Sequence, residues 1–259
     1  MVDIITDYMH RVIFADQNAN LKMVYGHFVE TIDKDITGGF GKCIKLNDNY
    51  DKIYILKDNF DLNIIDLTVD RCKNVTVMKI KADIEQITDW AIDDRKATAY
   101  FLMMQGSIII CDLKTKEKQT YKIEEKSFLS LVKEERNFTA ITINFDRKLL
   151  AVSGITISSG KKTNNLLVYN IERDPKGLVK LTLASQVAYE NQWEGSTYFN
   201  NIDKDYITSI NMMNTINGGQ VVACFTQCSA SASFYLLSKG KLILLQQPQK
   251  IHSRTHNFT

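Results

Sequence analysis

The sequence lacks several features that would mark the chain for export or for a membrane. Only 2 of its 259 residues are proline, and its 5 cysteines are an odd number scattered through a chain large enough to fold without disulfides. No apolar run approaches the about 18 residues needed to cross a bilayer. Charged residues interrupt residues 1–19, so these lack the apolar core of a signal peptide. We therefore expect the chain in the cytoplasm or another reducing intracellular compartment, without membrane contact.

The sequence also has no large excess of positive or negative charge. The 32 lysines and arginines are balanced by 30 acidic residues, which gives a formal net charge of +2. No basic block is long enough to follow a phosphate backbone. Nucleic acid is therefore not an expected partner.

Motifs for catalysis or metal binding are also missing. Cys224 and Cys228 are closely spaced, but a zinc site needs about four ligands and no histidine is near them in sequence. The glycines of residues 38–41 lack the spacing of a phosphate-binding loop. The carboxylates fall mainly in turns, whereas acid/base chemistry needs a pair held across a cleft. The sequence thus predicts no catalytic residue, metal, cofactor or small-molecule ligand.

The sequence does contain a repeated pattern of short apolar runs, rich in Ile, Val, Tyr and Phe and broken by Asn, Asp, Gly and Lys. This pattern is typical of strands joined by turns, and four strands make a unit of about 40 residues, the length of a propeller blade. Residues 10–15 and 21–29 predict strands of a partial first unit, and residues 154–164 and 189–205 predict insertions. The predicted units are residues 10–40 as the partial first unit, 41–81, 83–123, 137–187 and 206–247 as complete units, and 248–259 as the start of another unit or a closing strand.

Residues 143–154, followed by residues 167–171, resemble the core of a WD40 repeat. In that family an aromatic strand end, an Asp-containing turn and a Leu-Ala-Ser-Gly-like strand precede a Trp-Asp pair, and here Tyr169 and Asn170 stand in its place. No repeat has the family's Gly-His dipeptide at the expected position, so the polar network of regular WD40 blades is not expected. The resemblance implies an all-β fold, a divergent WD40-like β-propeller occupying residues 1–259 as one domain. It would have about four complete four-stranded blades and partial terminal blades, either closing as a small ring or forming a fragment of a seven-bladed one.

The insertion at residues 189–205 is the predicted protein-contact loop. Tyr189, Trp193, Tyr198 and Phe199 lie there among Asn, Gln, Glu and Ser. Aromatic side chains spaced by small polar residues are typical of protein interfaces. The alternative is a loop that folds back and caps a blade.

Three functions remain open on the sequence. The favoured one is a non-enzymatic protein-interaction scaffold, a subunit of a larger intracellular assembly with other proteins as its partners. The second is a propeller-class enzyme with a metal or carboxylate site at the central channel, and the third is a fragment of a larger multidomain WD40 protein. The scaffold is favoured because a fold does not imply chemistry without a site, and the sequence offers no catalytic motif.

Overall fold

Repeated four-stranded sheets make up the described part of the chain. The computed structural model describes residues 4–6, 11–15, 20–33, 44–57, 61–68, 73–80, 87–123, 135–158, 161–190, 207–226 and 231–250. Within these ranges twenty β-strands form five antiparallel four-stranded sheets, and in each sheet hydrogen-bonded neighbours are consecutive in sequence. The prediction of an all-β chain built from such units is confirmed. The chain divides into two compact units, which are described separately.

The first unit comprises Met1–Phe101 and Ile110–Lys118. Its first sheet contains β1 (Ile4–Thr6), β2 (Val12–Ala15), β3 (Leu21–Tyr25) and β4 (Phe28–Asp33). Its second sheet contains β5 (Ile44–Leu46), β6 (Lys52–Leu56), β7 (Asp61–Asp66) and β8 (Lys73–Lys79). The first sheet differs from the partial unit predicted over residues 10–40, because β1 pairs with β2 and supplies a fourth strand.

Alternating apolar residues hold the first two sheets together. Successive side chains of a strand point to opposite faces, so every second residue of β2 and β3 faces the second sheet. The buried cluster between them consists of Ile13, Leu21, Met23, Ile44, Ile53, Ile55, Ile65 and Leu67. Burial of this apolar surface is the main source of stability for the pair.

The third sheet has residues in both units. Its strands are β9 (Ile87–Asp93), β10 (Thr98–Met103), β11 (Ser107–Asp112) and β12 (Lys118–Lys122). In the first unit, Trp90 stacks on Phe101 with 5.8 Å between the ring centroids. Lys45 of the second sheet places its Nζ 3.2 Å from the Asp89 carboxylate and 5.9 Å from the centre of the Trp90 ring. This contact joins the first strands of the second and third sheets.

The second unit comprises Leu102–Ile109 and Gln119–Thr259. Its fourth sheet contains β13 (Glu135–Ile143), β14 (Leu149–Ser158), β15 (Lys161–Arg173) and β16 (Val179–Glu190). Its fifth sheet contains β17 (Ile207–Asn214), β18 (Gln220–Thr226), β19 (Ser231–Ser238) and β20 (Lys241–Lys250).

Two predicted boundaries in the second unit differ from the structure. In the insertion predicted at residues 154–164, residues 154–158 continue β14 and residues 161–164 belong to β15, with Gly154 opposite Asn165 and Ser158 opposite Lys161. Alternating Ile and Thr in this segment suit a strand, so the chain extends the sheet here. Residues 248–259 were predicted to begin another unit or to form a closing strand; residues 248–250 belong to β20 of the fifth sheet, and residues 251–259 lie outside the described residues.

Phe138, near the beginning of β13, contacts the turn between β10 and β11 through its backbone and its ring. Its backbone N–H donates to the Met104 carbonyl at 3.0 Å, and its side chain is 2% exposed. The ring lies between Gly106 and Gly154, both of which leave room for it because they have no side chain. The close approach requires glycine at Gly106, where a β-carbon would lie 2.5 Å from the ring, and is tight at Gly154, where it would lie 3.1 Å from the ring.

A polar turn recurs between the first and second strands of four sheets. Its first residue accepts a backbone hydrogen bond from the residue three positions later, which has a positive φ in each case. The pairs are Asn47 with Tyr50, Asp94 with Ala97, Asn144 with Arg147, and Thr215 with Gly218. These turns differ from the Gly-His and Trp-Asp network of regular WD40 repeats, and they supply polar links of their own.

Two of these turns bond to the neighbouring sheet. The Asn47 side chain donates from Nδ2 to the Asp94 carboxylate at 3.1 Å, and Tyr54 donates from its hydroxyl to the same carboxylate. The Asn144 side chain donates from Nδ2 to Oε1 of Gln220 at 3.3 Å. Burial and the Asp94 carboxylate both raise the pKa of Tyr54, so its hydroxyl stays protonated and able to donate.

Two cysteines are free and buried, which leads to a prediction about their reactivity. Cys111 and Cys224 are 0% and 1% exposed, and burial raises the pKa of Cys111 to about 11 and that of Cys224 above its usual value. Because the thiolate is the reacting form, we expect Cys111 to be alkylated by iodoacetamide at neutral pH about 100-fold more slowly than a free thiol. Peptide mass spectrometry of native and urea-unfolded samples measures this, and equal labelling of both samples would contradict it.

Candidate protein-contact surface

Of the four residues predicted to form a protein-contact loop, the structure describes one. Tyr189 belongs to strand β16, where its backbone lies opposite Asn164 of β15. Trp193, Tyr198 and Phe199 lie outside the described residues. The contact role of residues 189–205 stays a prediction, as does the alternative of a capping loop.

A different aromatic pair is exposed at the tip of the β3–β4 hairpin. Tyr25 and Phe28 are directly opposite each other, at the last position of β3 and the first of β4. Gly26 and His27 form the turn between them. The exposed fractions are 58% for Tyr25, 79% for Phe28 and 62% for Val29. We call residues 25–29 the aromatic hairpin.

The local sequence explains why the chain reverses at this point. Gly26 has a φ of +59°, and the tightest hairpin turns require a positive φ at the first of their two central residues. Further back in the hairpin, Leu21 is fully buried and Met23 is 7% exposed, because both pack on the second sheet. The tip extends past this core, so its aromatic rings are left in solvent.

The aromatic hairpin also lies on a sheet edge. β4 is a terminal strand of the first sheet, and its burial pattern shows four exposed residues at its start. Exposed apolar residues on an edge strand are a liability in a chain without a partner, since they invite pairing with other chains. Aromatic side chains clustered on a rigid turn offer a large contact area at low entropic cost.

The sequence prediction of one continuous strand over residues 21–29 was wrong, because β3 ends at Tyr25 and β4 begins at Phe28. The sequence does contain a signal for the turn, because a glycine followed by one polar residue, between two apolar runs, is typical of a two-residue hairpin turn. The exposed pair was therefore missed together with the turn.

Asp89, a buried carboxylate of the third sheet, is placed in structural contacts. Asp89 accepts the backbone N–H of Trp90 at 2.9 Å in addition to the Lys45 ammonium. Within the described ranges, no group of three or more His, Cys, Asp or Glu residues is placed to hold a metal ion. In the same part of the chain, no helix has the length and apolar character that a membrane crossing requires.

Similarity to known proteins is found at the level of the fold. No protein-family model matches the sequence, and no curated protein matches it. A chain of the S. cerevisiae structure of Dbp5 bound to Nup159, Gle1, IP6 and ADP is 14% identical with a TM-score of 0.51, and 95% of this chain aligns with 63% of that one. The Myceliophthora thermophila Cps50 (Swd1) β-propeller domain is 11% identical with a TM-score of 0.56, and 95% of this chain covers 71% of it.

An enzyme is also among the similar structures. The Pseudomonas aeruginosa periplasmic gluconolactonase PpgL is 9% identical with a TM-score of 0.54, and 96% of this chain covers 70% of it. At such identities these similarities establish the fold alone, and the chain has a β-propeller fold. It spans less than two thirds of the length of the S. cerevisiae chain.

Proposed function

We propose that this chain is a non-enzymatic protein-interaction scaffold and that the aromatic hairpin is one of its contact surfaces. The observation that carries the proposal is the paired exposure of Tyr25 and Phe28 at the tip of a hairpin whose second strand is a sheet edge. Tyrosine and other aromatics are enriched in protein interfaces, where a few buried rings supply most of the binding energy. The partner would therefore be a protein with an apolar pocket or groove.

Two further observations support a scaffold within a larger assembly. One of the similar structures is a complex in which Dbp5 is bound to Nup159 and Gle1. The buried free thiols of Cys111 and Cys224 are compatible with a reducing intracellular compartment, which we include in the proposal. A fold shared with a gluconolactonase does not decide the function, so the proposal depends on the surface.

A double substitution, Tyr25→Ser with Phe28→Ser, tests the contact surface. We expect it to weaken binding of the partner by roughly 30-fold, since interface hot spots contribute about 2 kcal/mol or more. The full-length tagged chain is purified from its source, the stoichiometric partner is identified, and its Kd is then measured with purified proteins.

The matched control is Tyr50→Asn, which removes an aromatic residue that is 53% exposed in a turn of the second sheet. This variant should bind as the unchanged chain does, and circular dichroism melts should show that all variants fold. Equal binding by the hairpin variant and the control would remove the aromatic hairpin from the proposal. Recovery of the lone monomer in repeated purifications would overturn the scaffold function itself.

A further inference from the structure

Strand β4 differs in sequence from the fourth strands of the other four sheets, all of which are edge strands. Native proteins protect such edges with lysine or proline, because both discourage pairing with another chain. β8, β12, β16 and β20 each contain lysine, and β20 contains Pro248 as well. β4 has the sequence FVETID, which contains neither. Among these five strands, β4 is therefore the one whose sequence permits pairing with another strand.

The backbone of β4 directs hydrogen-bonding groups away from β3 at two exposed positions. Tyr25 and Phe28 flank a two-residue turn, so their backbones exchange hydrogen bonds with each other. Bonded and non-bonded pairs alternate along an antiparallel ladder, so the next residue of β4 that bonds to β3 is Glu30. The N–H and C=O groups of Val29 and Thr31 therefore point outward from the edge.

The ionisable residues of β4 are both acidic. Asp33 is paired with Lys57 of the second sheet at 2.9 Å. Glu30 is exposed, and alternation places it on the same face of the sheet as Phe28. Lys22 of β3 lies on the other face. A strand placed beside β4 would therefore meet an exposed carboxylate between the two outward-pointing positions.

We infer that an extended segment of another protein adds to β4 as a fifth, antiparallel strand of the first sheet. This inference rests on the proposed function, and it states how the partner binds beside the aromatic hairpin. Hydrogen bonds to the backbones of Val29 and Thr31 supply affinity in such a strand addition, and the neighbouring side chains supply specificity. The antiparallel direction continues the pairing of β2, β3 and β4.

The register predicts the order of residues in the added strand. Residues directly opposite each other share a face, so we expect a lysine or arginine opposite Glu30. Apolar or β-branched residues are expected opposite Val29 and Thr31, and an apolar residue opposite Phe28. In the antiparallel direction, the segment therefore has the order apolar, basic, apolar, apolar.

A second copy of this chain fits the edge less well than such a segment. Two antiparallel copies of β4 use all their outward-pointing groups when Val29 of one copy lies opposite Thr31 of the other. That register places the two Glu30 side chains directly opposite each other, and like charges at this spacing destabilise a sheet. Charge complementarity therefore favours a basic segment of a different protein.

Site-specific photo-crosslinking in the full-length chain locates the segment. Benzoylphenylalanine replaces Thr31 in the tagged chain in its source cells, together with an isotopically heavy second copy. The matched control position is Thr120, an exposed threonine of edge strand β12, which has Lys118 and Lys122 at its ends. We expect position 31, and not position 120, to cross-link to one other protein, within a segment that has the predicted order of apolar and basic residues.

A synthetic peptide of the cross-linked segment then tests strand addition through hydrogen exchange. When the peptide binds the full chain, amide exchange measured by NMR should slow roughly 10-fold or more at Val29 and Thr31, because their N–H groups gain partners. The N–H groups of Phe28 and Glu30 already bond to β3, so their exchange should change less. Equal slowing at all four positions would contradict the predicted register.

Val29→Pro tests the backbone contribution to binding of the same peptide. It removes one outward-pointing N–H and keeps the hydrogen bonds between β3 and β4. We expect its Kd to be roughly 10-fold higher than that of Val29→Ala, which loses the side chain but keeps the N–H. Circular dichroism melts should show that both variants fold.

Glu30→Lys tests the charge contribution. It should raise the Kd of the peptide roughly 10-fold, and a peptide with glutamate in place of its basic residue should bind this variant better than the original peptide does. Glu117→Lys, which reverses another exposed carboxylate, should leave the Kd unchanged.

Several outcomes overturn the inference. Cross-links between heavy and light copies would show that β4 pairs with itself, and cross-links within one chain would show that the chain covers its own edge. The absence of cross-links at position 31, a cross-linked segment that is helical or lacks a basic residue, or an equal Kd for Val29→Pro and Val29→Ala would also refute strand addition. If Tyr25→Ser with Phe28→Ser still abolishes partner binding in any of these cases, the scaffold function stands and only the added strand is lost.

Discussion

Gly106→Ala is expected to lower the free energy of unfolding by about 3 kcal/mol, through backbone strain and overpacking together. Gly106 has a φ of +91°, and a β-carbon there would lie 2.5 Å from Cε2 of Phe138. The ring is buried, since Phe138 is 2% exposed, and its other edge lies near Gly154, where an added β-carbon would be 3.1 Å from Cδ1. Either the turn or β13 must therefore shift.

The backbone around Gly106 resists such a shift. The Gly106 carbonyl accepts the N–H of Ile123 at 2.9 Å, and the neighbouring Met104 carbonyl accepts the N–H of Phe138 at 3.0 Å. Moving the turn away from the ring would lengthen both bonds. The substitution therefore affects the contact of the third sheet's turn with the fourth sheet as well as the turn itself.

Gly177→Ala is the matched control for this prediction. Gly177 has a φ of +85°, but a β-carbon there would meet nothing within 4 Å. We expect Gly177→Ala to lower the free energy of unfolding only by the backbone-strain contribution, roughly 1 kcal/mol. Urea unfolding followed by far-ultraviolet circular dichroism measures both variants, and adding Phe138→Leu to Gly106→Ala should restore part of the loss. Equal losses of unfolding free energy in Gly106→Ala and Gly177→Ala would show that the contact with the Phe138 ring does not contribute to the destabilisation.

The repeated sheets were predictable because their signals are local. Strands such as β10 and β11 are runs of β-branched and aromatic residues, and polar or glycine-containing turns separate them. The four-stranded unit therefore follows from the order of runs and turns. The same local reasoning fails at Gly26, where the apolar run predicts one continuous strand and the structure has a two-residue turn between β3 and β4.

The polar links between sheets were not predictable, because they join residues far apart in sequence. Asn47 and Asp94 each look like an ordinary turn residue, and their contact depends on how the second and third sheets pack. The exposure of Tyr25 and Phe28 has the same origin, since strand pattern alone does not tell where a hairpin extends past the core. Local pattern gives the elements, whereas packing decides which residues become a surface.

Asn47→Ala is expected to cost about 3 kcal/mol of unfolding free energy, because it leaves several partly buried polar groups without the partner that Asn47 provides. Asn47 is 4% exposed, and its Oδ1 accepts the backbone N–H groups of Asp51 and Lys52, each at 3.0 Å. Its Nδ2 donates to the carboxylates of Asp51 at 2.6 Å and Asp94 at 3.1 Å. One side chain thus closes its own turn and bonds to the next sheet.

Thr215→Ala measures the loss of a bond within the turn alone, and so separates it from the bond that Asn47 also makes to the next sheet. Thr215 occupies the corresponding turn of the fifth sheet, where its hydroxyl bonds within the turn, with the N–H of Gly219 at 2.8 Å. Its loss should cost about 1 kcal/mol, the usual value for a single hydrogen bond. Urea unfolding of both variants gives the comparison. If Asn47→Ala loses no more than Thr215→Ala, the bond to Asp94 contributes nothing to stability.

Asn47→Asp tests the donor side of the same residue. It keeps an acceptor for the two backbone N–H groups but replaces the donor with a carboxylate beside Asp51 and Asp94. Like charges at hydrogen-bonding distance repel strongly where water is excluded. At neutral pH this variant should therefore be at least as unstable as Asn47→Ala, and it should recover relative to Asn47→Ala as the pH is lowered and the introduced carboxyl group loses its charge. A constant difference between the two variants across the acid range would show that Asn47 acts as an acceptor alone.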